Sequence, residues 1–296
     1  MSILEIKRKI GGVKNTKKIT KAMQLVAASK MQQFQRKAQS TRSFSMDLIK
    51  SLYNQCPDQK SKYTTLKDTP NTLFVLYTSD KGLCGPLNTK LINTLFRSNK
   101  WNDLPPENQF LITIGKKATE YARTRKIETV ATFPLLPERL DSIDALDVID
   151  VILDAYETKN ISRVYFICPH YHNSFTNYPV VKQFLPFSKE MISSHLESKS
   201  EEEVTNLKAA GVMSYYPQSP SLVLDHMYRQ IVSALFMQAF MELKASEYSN
   251  RMIAMKNATD SADNMIKDLT RTYNKARQGA ITQEIAELIG ARAAME

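Results

Sequence analysis

From Ser221 through Gln278 the chain contains no glycine and no proline, and its apolar residues recur at alternating steps of four and three. Met227, Ile231, Ala234, Met241, Ala245, Tyr248, Met252, Met255, Ala262, Ile266, Leu269, Tyr273, Ala276 and Ala280 fall on this track, which only Gln238 and Thr259 interrupt. A strict 3.5-residue repeat keeps one seam toward a partner helix as both supercoil, so the stretch predicts one strand of a coiled coil. A helix from Ser221 to Ile289, ending before Gly290, would span roughly 100 Å at about 1.5 Å per residue.

The partner is expected at the other end of the chain. All twelve prolines lie between Pro57 and Pro220. Proline inside a helix removes a hydrogen bond and clashes with the preceding turn, so two proline-free ends imply two long helices around a globular insert. Ser2 through Gln55 would form the first helix, roughly 80 Å long. Its apolar positions Ile3, Ile6, Ile10 and Val13 keep the coiled-coil step. The phase then slips to Ile19, Met23 and Val26, and again to Met31, Phe34 and Ala38. Such slips change the local supercoil, and each of Gly11 and Gly12 weakens the helix by about 1 kcal/mol relative to alanine. The pairing is expected to be antiparallel and irregular in twist. The domain plan is therefore a helix over 1–56, an insert over 57–220 and a helix over 221–296.

The insert alternates strand and helix signals. Leu73–Thr78, Phe110–Ile114, Glu128–Phe133 and Val164–Cys168 read as strands, with a further extended run over Tyr178–Phe187. Helices are expected from Pro86 to about Phe96, over Lys116–Lys126 and over Ser142–Thr158. This alternation builds a parallel sheet covered by helices, an α/β Rossmann-like domain. Residues 188–210 are polar around Glu201, Glu202 and Glu203, and are expected to form a mobile loop.

Charge changes the picture only once it is located. The net charge of +10 arises in residues 1–56, which carry twelve Lys and Arg against Glu5 and Asp47, while the rest of the chain is balanced. One acidic partner meeting one basic element is the implication. No stretch is apolar enough to span a membrane, and the first ten residues match neither a signal peptide nor a transit leader, so a cytosolic or already processed chain is expected. Cys56, Cys84 and Cys168 stand far apart, which argues against a disulfide framework or a cysteine-based zinc site.

Candidate chemistry is sparse. Gly82-Leu83-Cys84-Gly85 follows a strand, where a dinucleotide-binding fold would hold phosphate. The G-x-G-x-x-G spacing is absent and Pro86 removes a backbone donor, which favours a structural turn. His170 and His172, with His195 further on, lack an adjacent carboxylate cluster and make a poor metal site. No catalytic constellation is present. The basic run from Lys14 to Lys21 is readable as a solvated face, a nucleic-acid contact or a dock for acidic protein loops. No aromatic residue lies between Lys7 and Lys30, which serves base stacking poorly, whereas lysines suit contacts that must form and break.

Three long motifs carry a resemblance. Val13-Lys14-Asn15-Thr16-Lys17-Lys18-Ile19-Thr20-Lys21-Ala22-Met23-Gln24-Leu25-Val26-Ala27-Ala28-Ser29-Lys30-Met31 resembles the N-terminal signature of the gamma subunit of the F-type ATP synthase. Arg251-Met252-Ile253-Ala254-Met255-Lys256, Tyr273-Asn274-Lys275-Ala276-Arg277-Gln278 and Ile281-Thr282-Gln283-Glu284 resemble its C-terminal signature, and Ser79 to Gly85 with Leu87-Asn88 its central motif. Gly11-Gly12, Pro86, Gly279 and Tyr216 depart from the family pattern.

The resemblance implies an antiparallel coiled coil of the two termini and a Rossmann-like α/β domain that binds no nucleotide. It implies a rotor shaft that couples rotation of the membrane c ring to the catalytic beta subunits, not itself an enzyme, and without cofactor or metal. Its partners would be three alpha and three beta subunits, epsilon and the c ring, with no nucleic acid and no membrane insertion. It would sit at the cytoplasmic face of a bacterial inner membrane or, as a processed chain, on the matrix side of the mitochondrial one. Also by resemblance, Lys18, Lys21, Met23 and Lys30 would pass the acidic loops of the beta subunits, with Arg251 on the facing helix near Met23. Arg277, Gln278, Thr282 and Glu284 would engage beta-subunit loops higher up. A free-standing coiled-coil scaffold, or a nucleic-acid binder with an α/β head, is the competing class.

Overall fold

The computed structural model describes residues 2–55, 61–138, 140, 142–187 and 220–293. The expected loop at 188–210 and Tyr216 lie outside them. The chain divides into two compact units, Met1–Ser29 with Arg251–Glu296, and Lys30–Asn250. In chain order the elements are α1 (Ile3–Gln55), β1 (Thr72–Tyr77), α2 (Leu87–Phe96), α3 (Asn99–Asn102), a 3-10 turn (Pro106–Asn108), β2 (Gln109–Ile114), α4 (Lys116–Arg125), β3 (Ala131–Phe133), α5 (Ser142–Thr158), β4 (Arg163–Tyr171), β5 (Asn177–Leu185) and α6 (Pro220–Ala293).

The first unit is a two-helix seam. A reciprocal capping box starts α1: the Ser2 amide donates to Glu5 Oε2 at 2.9 Å, and the Glu5 amide donates to Ser2 Oγ at 3.2 Å. Two otherwise unpaired N–H groups are thereby satisfied. Along α1 the covered positions Ile3, Ile6, Ile10, Val13, Lys17, Thr20, Gln24 and Ala27 alternate by three and four without a break, with Met23 and Ala28 half-buried at the seam's margin. The expected phase slip therefore does not occur. Ile19 and Val26 are 61% and 60% exposed, and polar residues take the seam in their place. These polar residues meet partners on α6. Thr20 Oγ1 lies 2.8 Å from Thr259 Oγ1, the very residue that interrupts the track on α6. Lys17 Nζ donates to Asp263 Oδ1 at 2.5 Å. Numbers that rise on α1 fall on α6, so the pairing is antiparallel, as expected.

The track on α6 holds through Ala280, and residues 281–292 are exposed on every side. The register matches this limit: counting from Lys17 and Asp263, Ser2, at the capped start of α1, falls opposite Gln278. The helix nevertheless continues past Gly290 to Ala293. A glycine costs a helix interior about 1 kcal/mol, which is too little to stop it without a following cap or proline.

The second unit is built on a five-stranded sheet in the order β3-β2-β1-β4-β5. The first four strands are parallel, whereas β5 returns antiparallel to β4 as a hairpin partner, a departure from the all-parallel expectation. The short link from Tyr171 to Asn177 leaves no room for the crossover that a parallel neighbour needs. The third strand is shorter than expected because the chain first closes α4, and it joins β2 only from the Val130 amide, which donates to the Leu111 carbonyl at 2.8 Å. The Ile127 amide closes α4 on the Ala122 carbonyl at 2.9 Å, after Lys126 turns left-handed at φ 54°. Gly115 is required where β2 meets α4, since at φ +91° an added Cβ would lie 2.1 Å from the Thr78 carbonyl oxygen.

The first half of α6 and the second half of α1 pack within this unit. From Met241 to Ser249 every residue of α6 is buried, polar ones included. Tyr77 ends β1 against this helix, its ring stacked on Phe236 at 6.0 Å and tilted on Phe240 at 6.1 Å. Its hydroxyl is buried without a hydrogen-bond partner among the described residues, and burial pushes the phenol well above its ordinary pKa. An unsatisfied buried hydroxyl costs about 1–3 kcal/mol. Tyr77→Phe is therefore expected to raise the urea midpoint of the full chain at an unchanged m-value; a lower midpoint would show that the hydroxyl is bonded.

Candidate partner-binding faces

At 100° per residue, Lys14, Lys18, Lys21 and Leu25 share one outer face of α1, and Ile19, Met23 and Val26 share the adjoining one. All are exposed except Met23, which is half-buried. Lys21 Nζ donates to Gln24 Oε1 at 3.3 Å. Both faces flank the coiled-coil seam, each about 110° from it, so one flank offers lysines with Leu25 and the other apolar side chains that α6 leaves largely uncovered.

Two of the expected contact residues are placed differently. Lys30 is half-buried, and its Nζ donates to Glu138 Oε1 at 2.8 Å, in the loop after β3. The Tyr248 hydroxyl donates to the same oxygen at 2.6 Å, while its ring stacks on Phe34 at 5.6 Å. The hydrogen bond from Lys30, then that from Tyr248, hold the Glu138 carboxyl down at about 2 against the opposing effect of burial. Lys30 thus ties α1 to the sheet and to α6. Arg251 is only 7% exposed.

At the far end of α6, Arg277, Gln278, Thr282 and Glu284 are exposed as expected. Arg277 and Glu284 lie seven residues apart on one edge, and Gln278 and Thr282 on the other, with Thr282 Oγ1 donating to the Gln278 carbonyl at 2.9 Å. Between these edges runs an apolar stripe of Ile281, Ile285, Leu288 and Ile289, with 46%, 51%, 71% and 64% of their surfaces exposed. None of the four was among the site residues expected from the sequence. Their spacing of four, three and one is the signal that marks one helix face. Gln283 and Glu287 occupy the opposite side, joined by a 3.0 Å hydrogen bond.

The glycine loop after β1 is closed on itself. Asn88 Oδ1 accepts from the Ser79 amide at 3.0 Å, Asn88 Nδ2 donates to Ser79 Oγ at 2.9 Å, and Ser79 Oγ donates to the Lys81 carbonyl at 2.8 Å. These groups already satisfy one another, which is what a structural turn requires. His170 Nδ1 lies 3.0 Å from Glu242 Oε2, and His172 is exposed. His195 lies outside the described residues.

The family described as ATP synthase matches residues 2–295 of this chain. The ATP synthase gamma chain of Symbiobacterium thermophilum is 34% identical over 299 residues, covering 98% of this chain and 97% of that protein. The gamma chain of Nitrosococcus oceani is 35% identical over 297 residues, covering 98% of each. A chain of the Euglena gracilis mitochondrial ATP synthase (OSCP/F1/c-ring, rotational state 3) superposes with a TM-score of 0.66 at 22% identity, covering 99% of this chain and 94% of that one. A chain of the rotor of the same enzyme in rotational state 1 gives 0.62 at 20% identity, covering 94% and 98%. At such identities the two structures speak for the fold.

Because the folded pKa of Glu138 is depressed, its contact with Lys30 is fully present above the ordinary carboxylate value of 4.5 and is lost as pH falls toward about 2. A side-chain carbon NMR titration of Glu138 is expected to show a midpoint well below 4.5, and Lys30→Ala is expected to move it upward. An ordinary midpoint in the unsubstituted chain would mean that Lys30 is free.

Proposed function

Because this chain belongs to the ATP synthase gamma chain family, we propose that it is the central shaft of a proton-translocating F-type ATP synthase, turned by a membrane c ring and turning within a ring of three alpha and three beta subunits. The observation that carries this reading is the end of α6. An isolated helix in water does not keep four large aliphatic side chains exposed on one face without a partner to cover them. Enclosure in a sleeve of other subunits covers the stripe, and a sleeve that must let the helix turn is best made of apolar, non-directional contact. No helix among the described residues is long and apolar enough to cross a membrane, which fits a subunit peripheral to it. We place it on the cytoplasmic side of a bacterial inner membrane, together with epsilon.

The chemistry of ATP is assigned to the partner subunits and the chain's own work is mechanical. Rotation requires contacts that are renewed at each step, so each must be weak. Exposed lysine pairs of about 0.2–1 kcal/mol meet that need, and Lys18 and Lys21 on one exposed flank of α1, with Met23 on the other, are assigned such contacts with acidic loops. Arg277, with Gln278, Thr282 and Glu284 at the edges of the apolar stripe, supplies directional contacts. A guanidinium fork holds a carboxylate through two hydrogen bonds, which a single ammonium does not. Lys30 and Arg251 are assigned a supporting role, since one is engaged by Glu138 and the other is buried.

Co-expression with alpha and beta subunits is expected to yield a complex that copurifies, and Leu288→Asp with Ile285→Asp to weaken that assembly. A stable monomer that binds DNA with a steep salt dependence would favour the competing class. Within the complex, Arg277→Ala is expected to lower coupled ATP synthesis more than Lys18→Ala. Equal effects would sink the ranking of the two contacts.

A further inference from the structure

Nine consecutive residues of α6, Met241 to Ser249, are buried on all faces of the helix, and the polar members among them are held from opposite sides. Glu242 accepts from Arg42 Nη2 of α1 at 2.8 Å and from the Tyr171 amide at 3.3 Å, and lies 3.0 Å from His170 Nδ1 on β4. Two residues on, Lys244 points about 200° away around the helix and lies 3.5 Å from Asp80 Oδ2 in the loop after β1. Both side chains are under a tenth exposed. Burial works against the charge on Glu242, yet hydrogen bonds from His170, Gln238 and Arg42, with the field of Lys182, hold its carboxyl far below the usual range.

We propose that Glu242 and Lys244 are positioning residues that clamp α6 against rotation about its own axis within the sheet-bearing unit. The inference rests on the reading of the chain as a shaft. Apolar side chains allow a helix to turn or slide to a neighbouring packing at modest loss. A buried carboxylate and a buried ammonium do not: Gln238, and Glu247 at 3.6 Å from Lys244 Nζ, would turn with α6, but turning by even one residue takes Glu242 from Arg42, His170 and Tyr171, and Lys244 from Asp80, in a medium that does not solvate the lost contacts. One such contact would act as a pivot. Two, at nearly the same height and on opposite sides, form a couple that opposes twist in either direction. The strands carrying the opposing groups, β1 and β4, are neighbours at the centre of the sheet, so the load passes into the most buried strands of the unit. Ser249 Oγ adds a bond to the Ser174 carbonyl at 2.5 Å, one full heptad beyond Glu242.

The test uses the full chain in two settings. In the first, cysteines at the exposed positions Glu128 and Gln230 carry spin labels in the isolated protein. Glu242→Gln with Lys244→Met is expected to broaden the inter-label distance distribution, and Glu242→Asp with Lys244→Arg to restore most of its sharpness. An unchanged width in the neutral pair overturns the clamp, whatever the chain's partners prove to be. In the second, the complex is reconstituted in vesicles and ATP-driven proton uptake is divided by ATP hydrolysed. A purely structural role would lower the yield of complex and leave this ratio alone, whereas loss of the clamp lowers the ratio several-fold in the complex that assembles. Should the double variant fail to assemble, Lys244→Met alone decides, and a wild-type ratio in it overturns the proposal. Failure of the unsubstituted chain to join alpha and beta subunits would instead refute the shaft reading, and the label measurement would still judge the clamp.

Discussion

A helix that keeps an apolar residue at every step of three or four from Met227 to Ala280, Gln238 and Thr259 excepted, must keep that line covered, because water penalises each exposed aliphatic group and the line runs along the helix. That constraint arranges the chain. It requires a second long helix, and proline-free sequence for such a helix exists only at the other terminus. It also fixes where cover ends. With Lys17 beside Asp263 and Thr20 beside Thr259, α1 is used up near Gln278. The consequence is an end of α6 on which Ile281, Ile285, Leu288 and Ile289 stand exposed, with nothing among the described residues covering them.

Much of this was legible in the sequence, because periodicity and proline placement report on packing directly. The two helices, their antiparallel sense, the α/β insert and the parallel strands β1 to β4 follow from patterns that local physics dictates. The direction of β5 did not, since the alternation of strand signals carries no information on strand direction once the connecting helix is missing. The seam of α1 between Val13 and Met31 departs from the apolar pattern for a related reason. Apolar residues ordinarily mark the buried side, but Ile19 and Val26 face outward while Thr20 and Lys17 face inward. A pattern read from one helix cannot show that its polar position meets a polar position of the other. Thr20 and Thr259 interrupt their two tracks at the same level, and only the pair makes sense of either.

The candidate contact residues show the same limit. Lys18, Lys21, Arg277 and Glu284, which came from the family resemblance, stand on exposed helix faces. Lys30 differs because Glu138, 108 positions away, captures it, and nothing near Lys30 in sequence announces that partner. The Ser79 to Asn88 loop reads as a phosphate turn by position and as a closed turn by composition. Asn88, able to both donate and accept, ties the Ser79 amide and hydroxyl at the start of this loop to the first turn of α2.

Buried charge in α6 needs a reason other than stability. Replacing a buried ion pair with well-packed apolar residues is commonly neutral or stabilising, so Glu242 and Lys244 are not retained because charges hold a core together better than leucines would. What charges add is uniqueness: they distinguish one azimuth of the helix from all others, whereas an all-apolar segment enclosed on every side would offer several packings of similar energy. The seam of the other unit follows the opposite rule. Ala262, Ala276, Ala280 and the Thr20–Thr259 pair are small, and Lys17 with Asp263 is partly solvated and worth about 1 kcal/mol or less. Strong directional contacts thus occur where a helix passes through the sheet-bearing unit, and weak ones where two helices simply run together. A part that must take up torque in one place and yield to many successive contacts in another requires that division.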